Sequence, residues 1–328
     1  METTKHRHLT CRICDFSGDS PVYTAREMMY GLRNEFCYFQ CAQCQCLQIS
    51  ELPSDISPYY PKDYYSLSWR PENLYSNPLV SWARKARDSS AVLGEGICGR
   101  LIRLFYPVGI DMASLSNLKL TRQKNILDVG CGTGLLLYYL KEAGFENVLG
   151  VEPHIDADIK YANGLTIKKT QLHDLVEEQD IIMFHHSFEH LPNPIETLDT
   201  VYRLMSADGV CMIRIPLVSS EAWRKYGTHW VNLDAPRHFF LYSIESLKIL
   251  AGKTKFKIKE IVYDSNEMQF FGSQQYLEDI PLLAENSYLR NPAKSIFSKD
   301  QIKEYKKMAR QLNSASQGDQ VSVYMVKE

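Results

Sequence analysis

Ten residues constrain this chain's fold most: Asn125 to Gly134, NILDVGCGTG, followed by GLLLYYLKEAG. An apolar run ends in an acid, glycines alternate at Gly130, Gly132 and Gly134, and apolar residues then recur at helical spacing up to Gly144. A buried strand turning tightly into a helix opens a βαβ unit. Downstream, NVLGVEP, LTIKKTQ and QDIIMFHHS read as strands. NPIETLDTVYRLMSADG reads as a helix, with Pro194 near its start and Asp208–Gly209 as the turn beyond its end. The strand VCMIRIP, the helix SIESLKILAGKT and the strands FKIKEIVYDS and DQVSVYMVK complete the series. Seven strands interleaved with helices predict an α/β fold with parallel pairing and helices on both faces of the sheet.

The glycine turn selects among ligands. A dinucleotide fingerprint, G-x-G-x-x-G, requires a glycine where Leu135 stands. Asp128 lies two residues before the first glycine, and a carboxylate at a strand's end repels a diphosphate and attracts an ammonium. Glu152, closing the next strand, has the chemistry to accept both hydroxyls of a ribose. An amino-acid head joined to a nucleoside satisfies both acids, which points to S-adenosylmethionine.

ILDVGCGTG, VLGVEP, DIIMFHHSFEHLPNP and LMSADGVCMIRIP, in that order, resemble the successive motifs of class I S-adenosylmethionine-dependent methyltransferases, over roughly Lys124 to Ile215. The resemblance implies a seven-stranded Rossmann-like methyltransferase sheet. It sets Gly130, Cys131, Gly132 and Gly134 beside the methionine portion, Glu152 and Pro153 at the ribose, Gln171 and Leu172 at the adenine, and His185 and His186 facing the cofactor. His186, Glu189 and His190 also have the H-x-x-E-H spacing of an inverted zinc-peptidase signature. That signature needs a helix, whereas this segment leaves a strand and meets Pro192 and Pro194. Related quinone-type methyltransferases carry E-x-x-E-H here and bind a divalent cation; His186 replaces the first acid of that pattern. Two readings stand, a cation site or a pair bracing the loop, and bracing is preferred because polar residues at strand ends commonly satisfy loop amides.

Six of the nine cysteines fall in the first 46 residues. The N-terminus, METTKHRHLTCRIC, lacks the apolar segment of a signal peptide, and no run of about 18 apolar residues follows that could span a bilayer. The expected location is cytoplasmic, where clustered thiols hold metal rather than form disulfides. Cys11-x-x-Cys14 and Cys41-x-x-Cys44, 26 residues apart, suit a structural zinc. Asp15 and Gln45 stand where such knuckles often have glycine, and Cys37 or Cys46 are alternative ligands. The expected units are residues 1–66, a zinc-ribbon-like module and linker; 67–120, a helical bridge; and 121–328, the methyltransferase domain. A net charge of −2, without a basic cluster at the cysteines, leaves nucleic acid unexpected as a partner and an RNA methyltransferase as an alternative.

HWVNLDAPRHFFLYSIESLKILA, residues 229–251, resembles the LDxPRHxxxFS segment of a methyltransferase subgroup with an N-terminal CxxC/CxxC zinc module and a YYPKDYYS-like linker, linked to bacterial cell-surface polysaccharide synthesis. FFGSQQYLEDIPL and GDQVSVYMVK extend the likeness. The resemblance implies a small-molecule or saccharide acceptor, a sugar in polysaccharide biosynthesis. Arg237 is expected to grip a phosphate or carboxylate. His238, His229 or His186 is expected to take the acceptor's proton, and Trp223, Trp230 and Tyr226 to offer a wall to a sugar face. A cofactor-binding but inactive subunit docked on a biosynthetic partner protein is the alternative from another class.

Overall fold

The computed structural model describes residues 5–61 and 64–328, so Lys62 and Asp63 of the tyrosine-rich linker lie outside the described residues. The chain opens with strands β1 (Lys5–Thr10), β2 (Ser17–Arg26), β3 (Glu35–Gln40) and β4 (Leu47–Ile49), paired antiparallel in sequence order. A linker with short 3-10 turns at Ser57–Tyr59 and Pro71–Tyr75 encloses α1 (Tyr65–Ser68). Helices α2 (Pro78–Val92), α3 (Ile97–Phe105) and α4 (Ile110–Ser114) make the bridge.

The second sheet contains β5 (Ile126–Val129), β6 (Val148–Val151), β7 (Ile159–Lys160), β8 (Thr166–Lys168), β9 (Gln179–His185) and β10 (Met205–Pro216). After β11 (Phe240–Leu241), which belongs elsewhere, come β12 (Phe256–Tyr263) and β13 (Gln320–Lys327). Interleaved with these strands are α5 (Leu135–Glu142), α6 (Pro194–Leu204), α7 (Glu221–Tyr226), α8 (Ile244–Lys253), α9 (Met268–Leu277) and α10 (Lys299–Ser314). The spatial order is β12-β13-β10-β9-β5-β6-β8-β7. All seven predicted strands are present, and the two-residue β7 is an antiparallel addition beside β8.

Parallel pairing holds from β8 through β6, β5 and β9 to β10. It fails at β13, which runs antiparallel to both β10 and β12. Two helices, α9 and α10, separate β12 from β13, and the chain re-enters the sheet from the opposite end. The turn expected at Asp208–Gly209 is also displaced. The helix stops at Leu204, and these residues fall inside β10, where its register with β9 shifts between Met205 and Val210.

Side chains of β5 alternate between two cores. Leu127 and Val129 pack with Leu198 of α6 and Leu250 of α8. Ile126 packs on the other face with Leu137 and Leu140 of α5. Both faces of the strand are therefore covered, which is why its sequence is a continuous apolar run ending in Asp128. The N-terminal strands do not stand apart. β11 pairs with β4 as the fifth strand of their sheet, and Cys11, Ile13, Cys41 and Cys44 share one core with Ile213 and Leu250. A module too small for a core of its own is completed by apolar surface from the larger sheet.

Candidate active site

The site forms where β5 and β6 end. Gly130, Gly132 and Gly134 all have positive φ, at 71°, 57° and 80°. Their missing side chains matter sterically as well. A Cβ on Gly132 would lie 2.3 Å from the carbonyl oxygen of Ser66, and one on Gly130 would lie 2.6 Å from Cβ of Ser187. The amide of Gly132 donates to Oε2 of Glu152 at 3.1 Å, and the amide of His154 donates to Oε1 at 3.0 Å. Glu152 is thus oriented by backbone, with lone pairs left for a ligand.

Asp128 differs. It is 3% exposed, and its Oδ1 has no hydrogen-bond partner. Burial, and then the negative charges of Asp111 and Glu152, push its carboxyl well above the usual range. A buried acceptor with no donor is costly, and a cationic ligand head would relieve it. Cys131 is half-buried beside this turn, Pro153 is exposed at the end of β6, and Gln171 is exposed, its side chain capping the 3-10 turn Leu172–Asp174. Leu172 is buried in the main core.

The linker closes over the turn. The amide of Thr133 donates to the carbonyl of Ser66 at 2.9 Å. The ring of Tyr60 lies nearly parallel to that of His154, with centroids 6.2 Å apart, and its hydroxyl is 3.0 Å from Nδ1 of His190.

The histidines separate into distinct roles. His186 has φ 51°, and Arg214 donates from Nη1 to its Nε2 at 2.7 Å, which occupies the lone pair that a general base needs. Its Nδ1 lies 3.4 Å from Oε1 of Glu189. Arg214 in turn binds Asp111 at 2.6 Å and Asp264 at 2.8 Å. Neither ring nitrogen of His185 has a partner, and burial holds its pKa down at about 4.

His238 donates from Nδ1 to the carbonyl of Asn232 at 2.8 Å, which leaves Nε2 with the lone pair, 3.8 Å from Oε1 of Glu189. Burial, then the positive end of His190, lowers its pKa to about 4. Nδ1 of His190 lies 2.8 Å from the carbonyl of Arg237. Glu189 is fully buried and neither carboxylate oxygen has a hydrogen-bond partner. Burial opposes its ionisation, but His186 and the positive ends of His190 and His238 outweigh it and hold the carboxyl at about 2. Glu189, His190 and His238 bring one possible ligand atom each within 4.8 Å of one another. His229 lies in the 3-10 turn Gly227–His229, and among the described residues no hydrogen bond or ion pair ties it to this cluster.

Arg237 does not face a ligand. It is 0% exposed and its three nitrogens are engaged: by Asp234 through Nε at 2.9 Å and through Nη2, by Glu27 through Nη2 at 3.0 Å, and by the Tyr59 carbonyl through Nη1 at 3.2 Å. The expected grip on a phosphate is thus replaced by a tie between the linker and the segment before β11. Trp223, Trp230 and Tyr226 are likewise buried in a cluster with Tyr38 and Leu241, and Nε1 of Trp230 donates to Asp319 at 2.8 Å. They are core, not a sugar wall, because side chains of β2 to β4, α9 and α10 pack against them.

Cys11, Cys14, Cys41 and Cys44 converge with their sulfurs within 4.8 Å of one another. Cys11 and Cys44 are 3.6 Å apart, and Cys14 and Cys41 are 3.5 Å apart. A tetrahedral zinc thiolate site has sulfur edges of about 3.8 Å, so the four fit a zinc ion. The sulfur of Cys37 meets Ser50 at 3.3 Å, and that of Cys46 the carbonyl of Leu47 at 3.8 Å; neither belongs to the cluster. Asp15 and Gln45 each have φ 61°, so the knuckle turns form without glycine.

Residues not singled out from sequence also shape the site: Tyr60, Ser66, Asp111, Ser187 and Arg214. Arg214 left a signal, as a charge inside the apolar run VCMIRIP, and Tyr60 lies in the tyrosine-rich linker.

Residues 107–261 match a family model described as a methyltransferase domain. A ubiquinone biosynthesis O-methyltransferase of Actinobacillus pleuropneumoniae is 36% identical over 103 residues, covering 26% of this chain and 43% of that protein. One of Rickettsia conorii is 24% identical over 237 residues, covering 66% and 78%. The chain thus spans less than half the length of the first of these relatives. Among solved structures, an S-adenosylmethionine-dependent methyltransferase from Archaeoglobus fulgidus is similar at 19% identity, covering 70% of this chain and 99% of that one, with a TM-score of 0.40. A cyclopropane synthase from Mycobacterium tuberculosis is similar at 15% identity, covering 66% and 81%, with a TM-score of 0.42.

Proposed function

We propose that this chain, which carries a methyltransferase domain over residues 107–261, methylates a hydroxyl oxygen of a small acceptor, with S-adenosylmethionine as donor and a sugar as acceptor class. The observation that carries this reading is the buried, unpartnered Asp128 beside a glycine turn held by Glu152. Asp128 would pair with the ligand's ammonium and Glu152 with its ribose hydroxyls, while the three glycines leave room for close backbone approach. When bound, S-adenosylmethionine supplies an electrophilic methyl group.

The protein's part is to position and to keep water out. The linker covers the turn, and a dry cleft favours a step in which opposite charges cancel. Arg214 takes the lone pair of His186. Proton handling therefore falls to the group of Glu189, His190 and His238, in which the backbone carbonyls of Arg237 and Asn232 orient the two imidazoles beside a buried carboxylate. The four cysteines would hold a structural zinc that fixes β1 to β4 against the core. The relatives named for ubiquinone biosynthesis support a small acceptor with a hydroxyl, and the segment around Arg237 supports the sugar class by resemblance alone.

Calorimetric titration with S-adenosylmethionine, followed by methyl-transfer assays on nucleotide sugars and on catechol-type acceptors, tests the proposal. Micromolar binding and a methylated sugar are expected. Product from the catechols alone would overturn the sugar class. Tight binding with no product on either panel would instead favour an inactive partner subunit, and absent binding would overturn the whole reading.

A further inference from the structure

The helical bridge exposes an apolar face that nothing in the site uses. Of the fifteen large hydrophobic side chains that stand out from the surface among the described residues, nine fall between Trp69 and Tyr106. On α3, Ile97, Leu101, Leu104 and Phe105 are 77%, 56%, 76% and 79% exposed. Their spacing of four, three and one puts them on one arc of the helix. The opposite side is used for packing: Gly99 lies so close to α2 that a Cβ there would meet the carbonyl of Ala86 at 2.0 Å. Leu79 and Trp82 of α2 are 79% and 58% exposed.

Charge identifies the occupant. Residues 78–106 hold five Lys and Arg against two Asp and Glu, in a chain whose net charge is −2. Arg100 and Arg103 alternate with the apolar residues of α3 and are exposed. An apolar arc edged by arginines, with tryptophan and tyrosine at its borders, suits the boundary between lipid headgroups and acyl chains, where long basic side chains reach back to phosphates. Self-association through a two-fold axis would set this positive segment against its own copy.

We propose that the α2–α3 hairpin docks the protein on an anionic lipid surface, lying in its plane without crossing it. No helix among the described residues is long and apolar enough to span a bilayer. Helix α2 is tied to α5 by Lys85 to Glu142 at 2.8 Å and by Ser89 to the carbonyl of Ala143 at 3.2 Å. Because α5 begins at the glycine turn, docking would hold the cofactor site at a fixed height above the surface.

Flotation of the full chain with phosphatidylcholine vesicles, with and without phosphatidylglycerol, tests this. Binding about tenfold stronger to the anionic vesicles is expected, weakening with salt. L101E/F105E should abolish flotation and R100E/R103E should erase the preference for phosphatidylglycerol, while both variants keep wild-type affinity for S-adenosylmethionine by calorimetry. No flotation of the wild type on either vesicle overturns the proposal, as does flotation that survives L101E/F105E. A dimer dissolved by L101E/F105E, with no vesicle binding, overturns it in favour of a second copy as occupant.

Discussion

The amide of Thr133, inside the glycine turn, donates to the carbonyl of Ser66, in the linker that follows the cysteine module, at 2.9 Å. The N-terminal part of the chain thereby closes on the site formed by β5 and β6. The closure needs Gly132 to lack a side chain, since a Cβ would meet that same carbonyl at 2.3 Å and φ is already +57°. Gly132→Ala should push the linker away and strain the turn by about 1–2 kcal/mol. Faster limited proteolysis between residues 57 and 75 is expected, together with a loss of about tenfold or more in cofactor affinity. Gly252→Ala, on the exposed side of α8 where nothing lies within 4 Å, should stabilise the protein by about 0.5–1 kcal/mol and serves as the control.

Asp128→Asn separates binding from folding. A neutral amide spares the buried site the cost of an acid that burial keeps from ionising, so the stability of the free protein at neutral pH should rise, while cofactor affinity falls by about ten- to a hundredfold. Because burial raises the pKa of Asp128, the free protein holds its proton in the window above the ordinary carboxylate value, and a cationic ligand expels it. Affinity of the wild type should rise with pH across that window. Calorimetry in buffers of different ionisation enthalpy should show proton release that the variant lacks.

The four-cysteine cluster predicts one bound zinc per chain by elemental analysis. Cys41→Ser should lose it and lower the melting temperature of the whole protein, because Cys11, Cys41 and Cys44 lie in the same core as Ile213 and Leu250. Cys37→Ser should keep the metal, since that sulfur faces Ser50.

Arg237 is a fully buried partner of Glu27, which is itself 0% exposed. Arg237→Met should cost about 3–5 kcal/mol in chemical denaturation by stranding that carboxylate. The double variant with Glu27→Gln should recover part of the loss. A phosphate-gripping arginine would instead raise KM and leave stability unchanged.

His238 predicts acid sensitivity. Its folded pKa, about 4, lies below the ordinary 6.5, so between those values the unfolded chain binds a proton that the folded chain refuses. Its contribution is therefore intact above about pH 6.5 and lost as pH falls toward 4, with a slope approaching 1.4 kcal/mol per pH unit. Urea melts across that range should show the decline, and His238→Asn should flatten it.

From sequence alone, NILDVGCGTG set the strand, the positive-φ turn and the helix, because those preferences are local: backbone freedom at glycine, apolar runs for a covered strand, helical spacing after it. The convergence of the cysteines was equally legible, since the spacing within each Cys-x-x-Cys pair is a short-range property, although the choice of Cys11, Cys14, Cys41 and Cys44 over Cys37 and Cys46 needed the strands' register. Tertiary structure decided the rest. The reversal of β13, the burial of Arg237 between Glu27 and Asp234, the loss of Trp230 to the core and the capture of the His186 lone pair by Arg214 all join residues far apart in the chain. Such contacts depend on which surfaces meet, and a charged or aromatic residue shows the same letter whether it faces a ligand or a neighbour in the core.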